Sequence, residues 1–147
     1  MIKLIQEHPE IRIQIGKLLG YHVEKVVLEF PDGRIYDADG EVYDTTKPGI
    51  YDSYILLDPE GKDVRPYRGT PVFDGDWNDT EYQAWLELPV WDISTDRALE
   101  LLKECDFDLK YRKSIWYASY DVWGYHDVIP AMAVCYLFLK LKELGII

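Results

Sequence analysis

The sequence predicts an α/β protein of the α+β kind, with a mainly antiparallel sheet sandwiched between helices on both faces. Three observations predict it. Apolar residues recur at helical spacing near both ends of the chain. Between them, short runs of β-branched and aromatic residues are separated by Pro, Gly and Asp turn signals. Over 95–144 a helix, an aromatic hairpin and a second helix follow one another with clear punctuation.

At 147 residues the chain can bury a sizeable core without disulfides. It is read as a single domain, 1–147, with a β-meander and long-loop insertion at about 31–91. The first helix is expected over 9–19. Pro9 suits a first turn, Ile11, Ile15, Leu18 and Leu19 form one stripe, and Gly20 suits the position just past the end. Residues 23–30 follow as a strand, with Val26, Leu28 and Phe30 alternating with Val27 and Glu29, and Pro31-Asp32-Gly33 then turns the chain. Further strands are expected at 34–36, 41–43 and 51–57, separated by Asp39-Gly40, by Pro48-Gly49 and by the turn 58–61.

From 65 to 91 the pattern fades. Pro66, Gly69, Pro71, Gly75 and Pro89 predict a long irregular excursion with one helical turn near 80–86. Order returns at Ser94-Thr95-Asp96, a capping hydroxyl with an acid in the first turn, which opens a helix over 95–105. The hairpin occupies 107–120. Phe107, Leu109 and Tyr111 lie on one face of its first strand, and Trp116, Ala118 and Tyr120 oppose Ile115 and Tyr117 across its second. Apolar residues on both faces predict helical cover on both sides. Pro130 opens the last helix, over 130–144, with Ala131, Val134, Cys135, Phe138 and Leu141 on its stripe and Gly145 after it.

The net charge of −11 is concentrated in the middle of the chain. Residues 29–87 hold fifteen acids and five bases, a balance of −10, against +1 for 1–28 and −2 for 88–147. Such a field disfavours direct nucleic-acid binding, which needs Lys and Arg to neutralise phosphates. Its ordinary role is solubility; its sharper one is attraction of a basic partner protein. The two cysteines, Cys105 and Cys135, both fall on apolar helical stripes and are expected as reduced core thiols. No basic segment leads into an apolar run at the N-terminus, and no stretch reaches the ~20 apolar residues a membrane span requires. A cytoplasmic protein without membrane association is expected.

The opening and ending carry a family resemblance. Leu19-Gly20-Tyr21-His22 closes the first helix, Ser94-Thr95-Asp96-Arg97-Ala98 opens another, Trp116-Tyr117-Ala118 lies in the strand pair, and Ile129-Pro130-Ala131-Met132-Ala133-Val134-Cys135 opens the last helix. Together these segments, within 8–28 and 90–145, resemble small phage proteins with the ABA-sandwich domain. The acidic middle of the chain falls outside the likeness. The resemblance implies helix–sheet–helix layering and a phage or prophage origin, which would place the protein in the cytosol of a host cell. It brings no catalytic residues with it, and its phage context implies a binding protein that disarms host defence.

Chemical motifs are sparse. Of the three histidines, His8 precedes the first helix, while His22 and His126 each follow Gly-Tyr at a junction between elements. His126 next to Asp127 invites a hydrolase reading, yet neighbours in an extended segment point in opposite directions and no Gly-x-Ser-x-Gly elbow exists. No catalytic residue is therefore assigned. Asp74-Gly75-Asp76-Trp77-Asn78-Asp79 begins like a calcium loop, but its sixth position is Asp79 where Gly belongs and its twelfth is Trp85 where a bidentate Glu belongs. Asp37-Ala38-Asp39-Gly40-Glu41 has the spacing of a hairpin turn. No metal and no cofactor are expected.

The remaining constellation is aromatic and basic. Arg65, Tyr67 and Arg68 bracket Pro66, with Trp77 further along the loop; Arg112 lies at the hairpin tip; Trp123 and His126 lie in the turn before the last helix. Aromatic faces stack on planar ligands and Arg forks grip phosphates. The alternative is that these rings pin loops to the core. The leading expectation is a non-enzymatic, homo-oligomeric protein that sequesters a nucleotide-like or other small signalling ligand. Arg65, Arg68 and Arg112 would meet phosphates, and Tyr67, Trp77 or Trp123 would stack on the ring. An acidic inhibitor of a basic host protein, acting as a nucleic-acid mimic, is the alternative.

Overall fold

The computed structural model describes residues 7–36, 39–45, 47–64 and 78–147. Among these residues four helices and antiparallel strands make an α+β fold, as the periodicity predicts. The described residues divide into two compact units. One contains the chain up to Leu18 and from Pro89 onward; the other is Leu19–Leu88.

In the first unit α1 (Pro9–Leu19) begins after His8, whose carbonyl accepts from the amides of Ile11 and Arg12 at 3.1 Å each. The N-cap of α3 (Thr95–Leu101) is Ser94, whose hydroxyl accepts from the Arg97 amide at 3.3 Å. This helix is shorter than its sequence pattern. Beyond Leu101 the chain tightens into turns in which Lys103 bonds back to Glu100 and Cys105 to Leu102. Bonds reaching three residues back are the usual way a final turn closes.

Three strands form a sheet in the order β5 (Asp108–Arg112), β6 (Ile115–Tyr120), β7 (Trp123–Asp127). The third strand is a departure from the sequence reading, which left Trp123 and His126 in a turn. Asp121 takes a φ of 53° and reverses the chain within two residues, so that Trp123 pairs directly with Tyr120. Gly124 hides the strand from a propensity reading, because glycine is depleted in strands.

α4 (Pro130–Glu143) packs on β6, β7 and α3. Ile129, at its N-cap, makes no side-chain bond, but the Asp127 carboxylate accepts from the Ile129 amide at 2.8 Å and sets the entry. At the other end Gly145 adopts φ 73°, with Ile146 bonding to Leu141 and Gly145 to Lys142, the pair of bonds that closes a Schellman motif. Eight residues of α4 are buried, including Met132 and Ala133 off its predicted stripe, which fits a helix covered on more than one side.

On this sheet the helical cover among the described residues lies on one face. Ala118 is fully buried, and Trp123 and Tyr125 of the same face meet Lys140 and Tyr136 of α4. The opposite face carries the exposed residues Asp108, Lys110, Arg112, Tyr117, Gly124 and His126. Tyrosine explains the difference from the expectation: its ring counts as apolar in a pattern, yet its hydroxyl is comfortable in water.

In the second unit β1 (His22–Phe30) pairs along its whole length with β4 (Gly49–Leu57), from His22↔Leu57 to Phe30↔Gly49. β2 (Arg34–Tyr36) and β3 (Val42–Thr45) form a separate hairpin between them. The meander expected from turn spacing is therefore corrected: β1 passes over its neighbour in sequence and takes the strand that matches its length. Phe30 is buried with Leu28 and Tyr51 packed against it, and the Phe30 and Tyr51 rings lie 5.8 Å apart. α2 (Glu81–Trp85) is the helical turn anticipated at 80–86. Its cap Thr80 accepts from Gln83, and Gln83 accepts in return from the Asp79 amide. No helix among the described residues is long and apolar enough to cross a membrane.

Candidate functional site

The residues singled out in the sequence separate into three groups. Arg65, Tyr67, Arg68 and Trp77 lie outside the described residues. Arg112 and His126 lie on the exposed face of the β5–β7 sheet. Trp123 lies on the opposite face, half-buried, with the Lys140 ammonium 4.7 Å from its ring centre. Trp123 thus serves as a packing platform for α4, and the stacking role expected of it is not available to a ligand on the exposed face.

Register builds that exposed face in ranks. Lys110 pairs with Tyr117 and Tyr117 with His126, so a cation, a phenol and an imidazole form one row across all three strands. The Tyr117 and His126 rings lie 5.7 Å apart at an interplanar angle of 36°. One rank toward the hairpin tip, Arg112 pairs with Ile115, and Lys113 follows in the turn. One rank the other way are Asp108, Ser119 and Gly124. Successive ranks on one face are about 6.7 Å apart and strands about 4.8 Å apart. Among the described residues, Lys110, Arg112 and Lys113 have no ion-pair partner. A concavity of about 500 Å³ is lined by Lys110, Tyr111, Arg112, Lys113 and Tyr117.

Lys113 and Ser114 adopt φ values of 52° and 66°. Both central residues of a two-residue hairpin turn need positive φ to match the twist of the strands, and neither is glycine here. The turn therefore carries Lys113, one of the residues lining the concavity, at a conformational cost. Lys110 and Tyr117 were missed by the sequence reading. The signal that finds them is strand parity: once Arg112 is placed on a face, Lys110 must share it.

His126 and Asp127 fall on opposite sides of β7, and the Asp127 carboxylate is engaged with the Ile129 amide. That geometry does not assemble the acid–base pair of the hydrolase reading. The calcium-like run 74–79 lies largely outside the described residues, as do Asp37 and Ala38 of the shorter acidic turn. Among the described residues no group of three or more His, Cys, Asp or Glu side chains could hold a metal ion.

Away from this face, Cys135 is buried and Cys105 half-buried, and both are free thiols. The Cys135 thiol donates to the Trp91 carbonyl at 3.2 Å. Burial, with the nearby Asp92 charge adding to it, pushes its pKa up to about 12. A thiol so protonated is a packing group and not a nucleophile.

Comparison of the chain with protein-family models, with curated proteins and with solved structures gives no match.

Proposed function

We propose that the protein is a non-enzymatic binder that captures a planar anionic ligand of nucleotide type on the exposed face of the β5–β7 sheet. The observation that carries this reading is the Lys110–Tyr117–His126 row beside Arg112 and Lys113. Rings offer stacking to a base, and the cations one rank away offer charge-assisted hydrogen bonds to phosphate. On this face Lys110, Arg112 and Lys113 would meet phosphate and Tyr117 and His126 would stack on the base; Arg65 and Arg68 lie outside the described residues. The resemblance to phage ABA-sandwich proteins supplies the biological setting: sequestration of a host signalling nucleotide in the host cytosol, by an assembly of several chains.

Titration calorimetry of the full chain with ATP, GTP, CTP and UTP tests the reading. Saturable binding of at least one nucleotide is expected. Tyr117→Ala should weaken it about ten-fold, the loss appropriate to one stacked base. No binding, or an unaltered affinity in Tyr117→Ala, would reject it.

A second reading has an observation of its own, the balance of −10 over residues 29–87. Exposed acids there include Asp32, Asp52, Glu60, Asp79 and Glu81. They suit docking onto a basic host protein as a nucleic-acid mimic. Such a contact would weaken steeply with salt, and salt-insensitive capture of a basic partner would exclude it.

A further inference from the structure

On the reading that the β5–β7 face binds a nucleotide, we infer that the ligand is charged at one end only: a mononucleotide carrying two or more consecutive phosphates, laid over Arg112 and Lys113. The face is not uniformly basic. Its charge changes along the strands, from Arg112 and Lys113 at the hairpin tip, through Lys110 in the middle rank, to Asp108 in the far rank. All of these side chains are exposed. A base resting on Tyr117 has a cation diagonally on one side at about 7–8 Å, Arg112, and a carboxylate diagonally on the other at a similar distance, Asp108.

A phosphate chain directed to the tip meets the Arg112 fork and the Lys113 ammonium. A phosphate directed the other way meets Asp108, a like charge, beside Ser119 and Gly124. The concavity, whose lining also takes in Tyr111 of the other face, has the same bias along the strands, since it includes Arg112 and Lys113 and omits Asp108, Ser119 and Gly124. The two-residue turn at Lys113 and Ser114 places the outermost cation directly after Arg112 in the chain.

Adenosine, AMP, ADP and adenosine 3′,5′-bisphosphate, or the same four forms of whichever base binds as its triphosphate, distinguish the arrangements. ADP and the bisphosphate carry the same number of phosphates, consecutive in one and on both sides of the ribose in the other. Affinity is expected to rise about ten-fold from AMP to ADP, the gain of one charge-assisted contact. The bisphosphate should bind no tighter than AMP. In Arg112→Ala with Lys113→Ala the step from AMP to ADP should vanish. Asp108→Asn should improve the bisphosphate and leave ADP as it was.

If none of the four compounds binds, the nucleotide reading falls and this inference with it. If they bind with affinities indifferent to phosphate number, or if the bisphosphate equals ADP, the platform stands and the one-ended geometry is overturned. Circular dichroism of each variant checks that these exposed substitutions leave the fold intact.

Discussion

Arg12 and Asp92 lie 80 positions apart in sequence and form a buried, two-pronged ion pair. Nε donates to Oδ1 at 2.8 Å and Nη2 to Oδ2 at 3.1 Å, while the His8 amide adds a third bond to Oδ2 at 2.8 Å. Asp92 is fully buried and Arg12 is 3% exposed, so the pair is shielded from the screening that weakens surface salt bridges. Burial pushes the Asp92 carboxyl up, but the hydrogen bonds from Arg12 and His8 and the charge of Arg12 outweigh it and hold the pKa below the ordinary value. A depressed folded-state pKa means that the unfolded chain takes up the proton first. The stabilisation is therefore complete above the ordinary aspartate value of about 3.9 and is lost as pH falls through the lower folded-state value. Asp92→Asn should cost about 3–5 kcal/mol at neutral pH, because it leaves the buried Arg12 with only the exposed Glu7 carboxylate, 3.9 Å away, as a counter-charge. Urea denaturation at a series of pH values checks this: the gap between wild type and variant should narrow in acid, and a constant gap would contradict the assignment. Neither residue stood out in the sequence. Arg12 lies inside an apolar helical stripe and Asp92 beside Trp91, and only their meeting makes them significant.

Among the elements, the helices were the most legible, because their signals are local. Pro9 and Pro130 at first turns, Ser94 and Thr80 as caps and Gly145 past an end all act within a few residues of themselves. The strands were legible as strands but not as partners. β1 resembles a strand wherever it pairs, and nothing in the residues next to it says that β4 is its mate. The C-terminal hairpin offers a test at this scale. Ser114 at φ 66° sits in a region that costs an ordinary L-residue roughly 1–2 kcal/mol, so Ser114→Gly should stabilise the protein by about 1 kcal/mol. An increased urea midpoint with an unchanged slope is the expected result; a decrease would mean that the Ser114 side chain contributes more than the turn costs. The candidate site was half legible for the same reason as the strands. Arg112 and His126 were named from residue type, but their shared face, and the place of Lys110 and Tyr117 on it, followed only from register.

For the molecule as a whole, a net charge of −11 opposes an anionic ligand that local cations attract. The two effects differ in range. At about 10 mM salt the Debye length is near 30 Å and the whole charge repels the approaching ligand, whereas at 150 mM it is about 8 Å and only the nearest groups act. Stopped-flow binding of ATP should therefore show an association rate that rises with salt across this interval, together with a dissociation rate that also rises as the phosphate contacts weaken. An association rate that falls with salt would show that the basic tip governs approach even at long range. The charge distribution itself, including the balance of −10 over 29–87, is a property of composition and is read without any fold.

The amino-acid order by itself determined the class of the protein, the starts of its helices, the acidic middle and the apolar stripes of its helices, because each depends on composition or on interactions within about one or two helical turns. Tertiary structure alone decided that β1 joins β4, that Arg12 meets Asp92, that Trp123 faces α4, and that Lys110, Tyr117 and His126 line up on an exposed surface. These depend on which distant segments come together. Periodicity records that a residue has a face, and packing decides what that face meets.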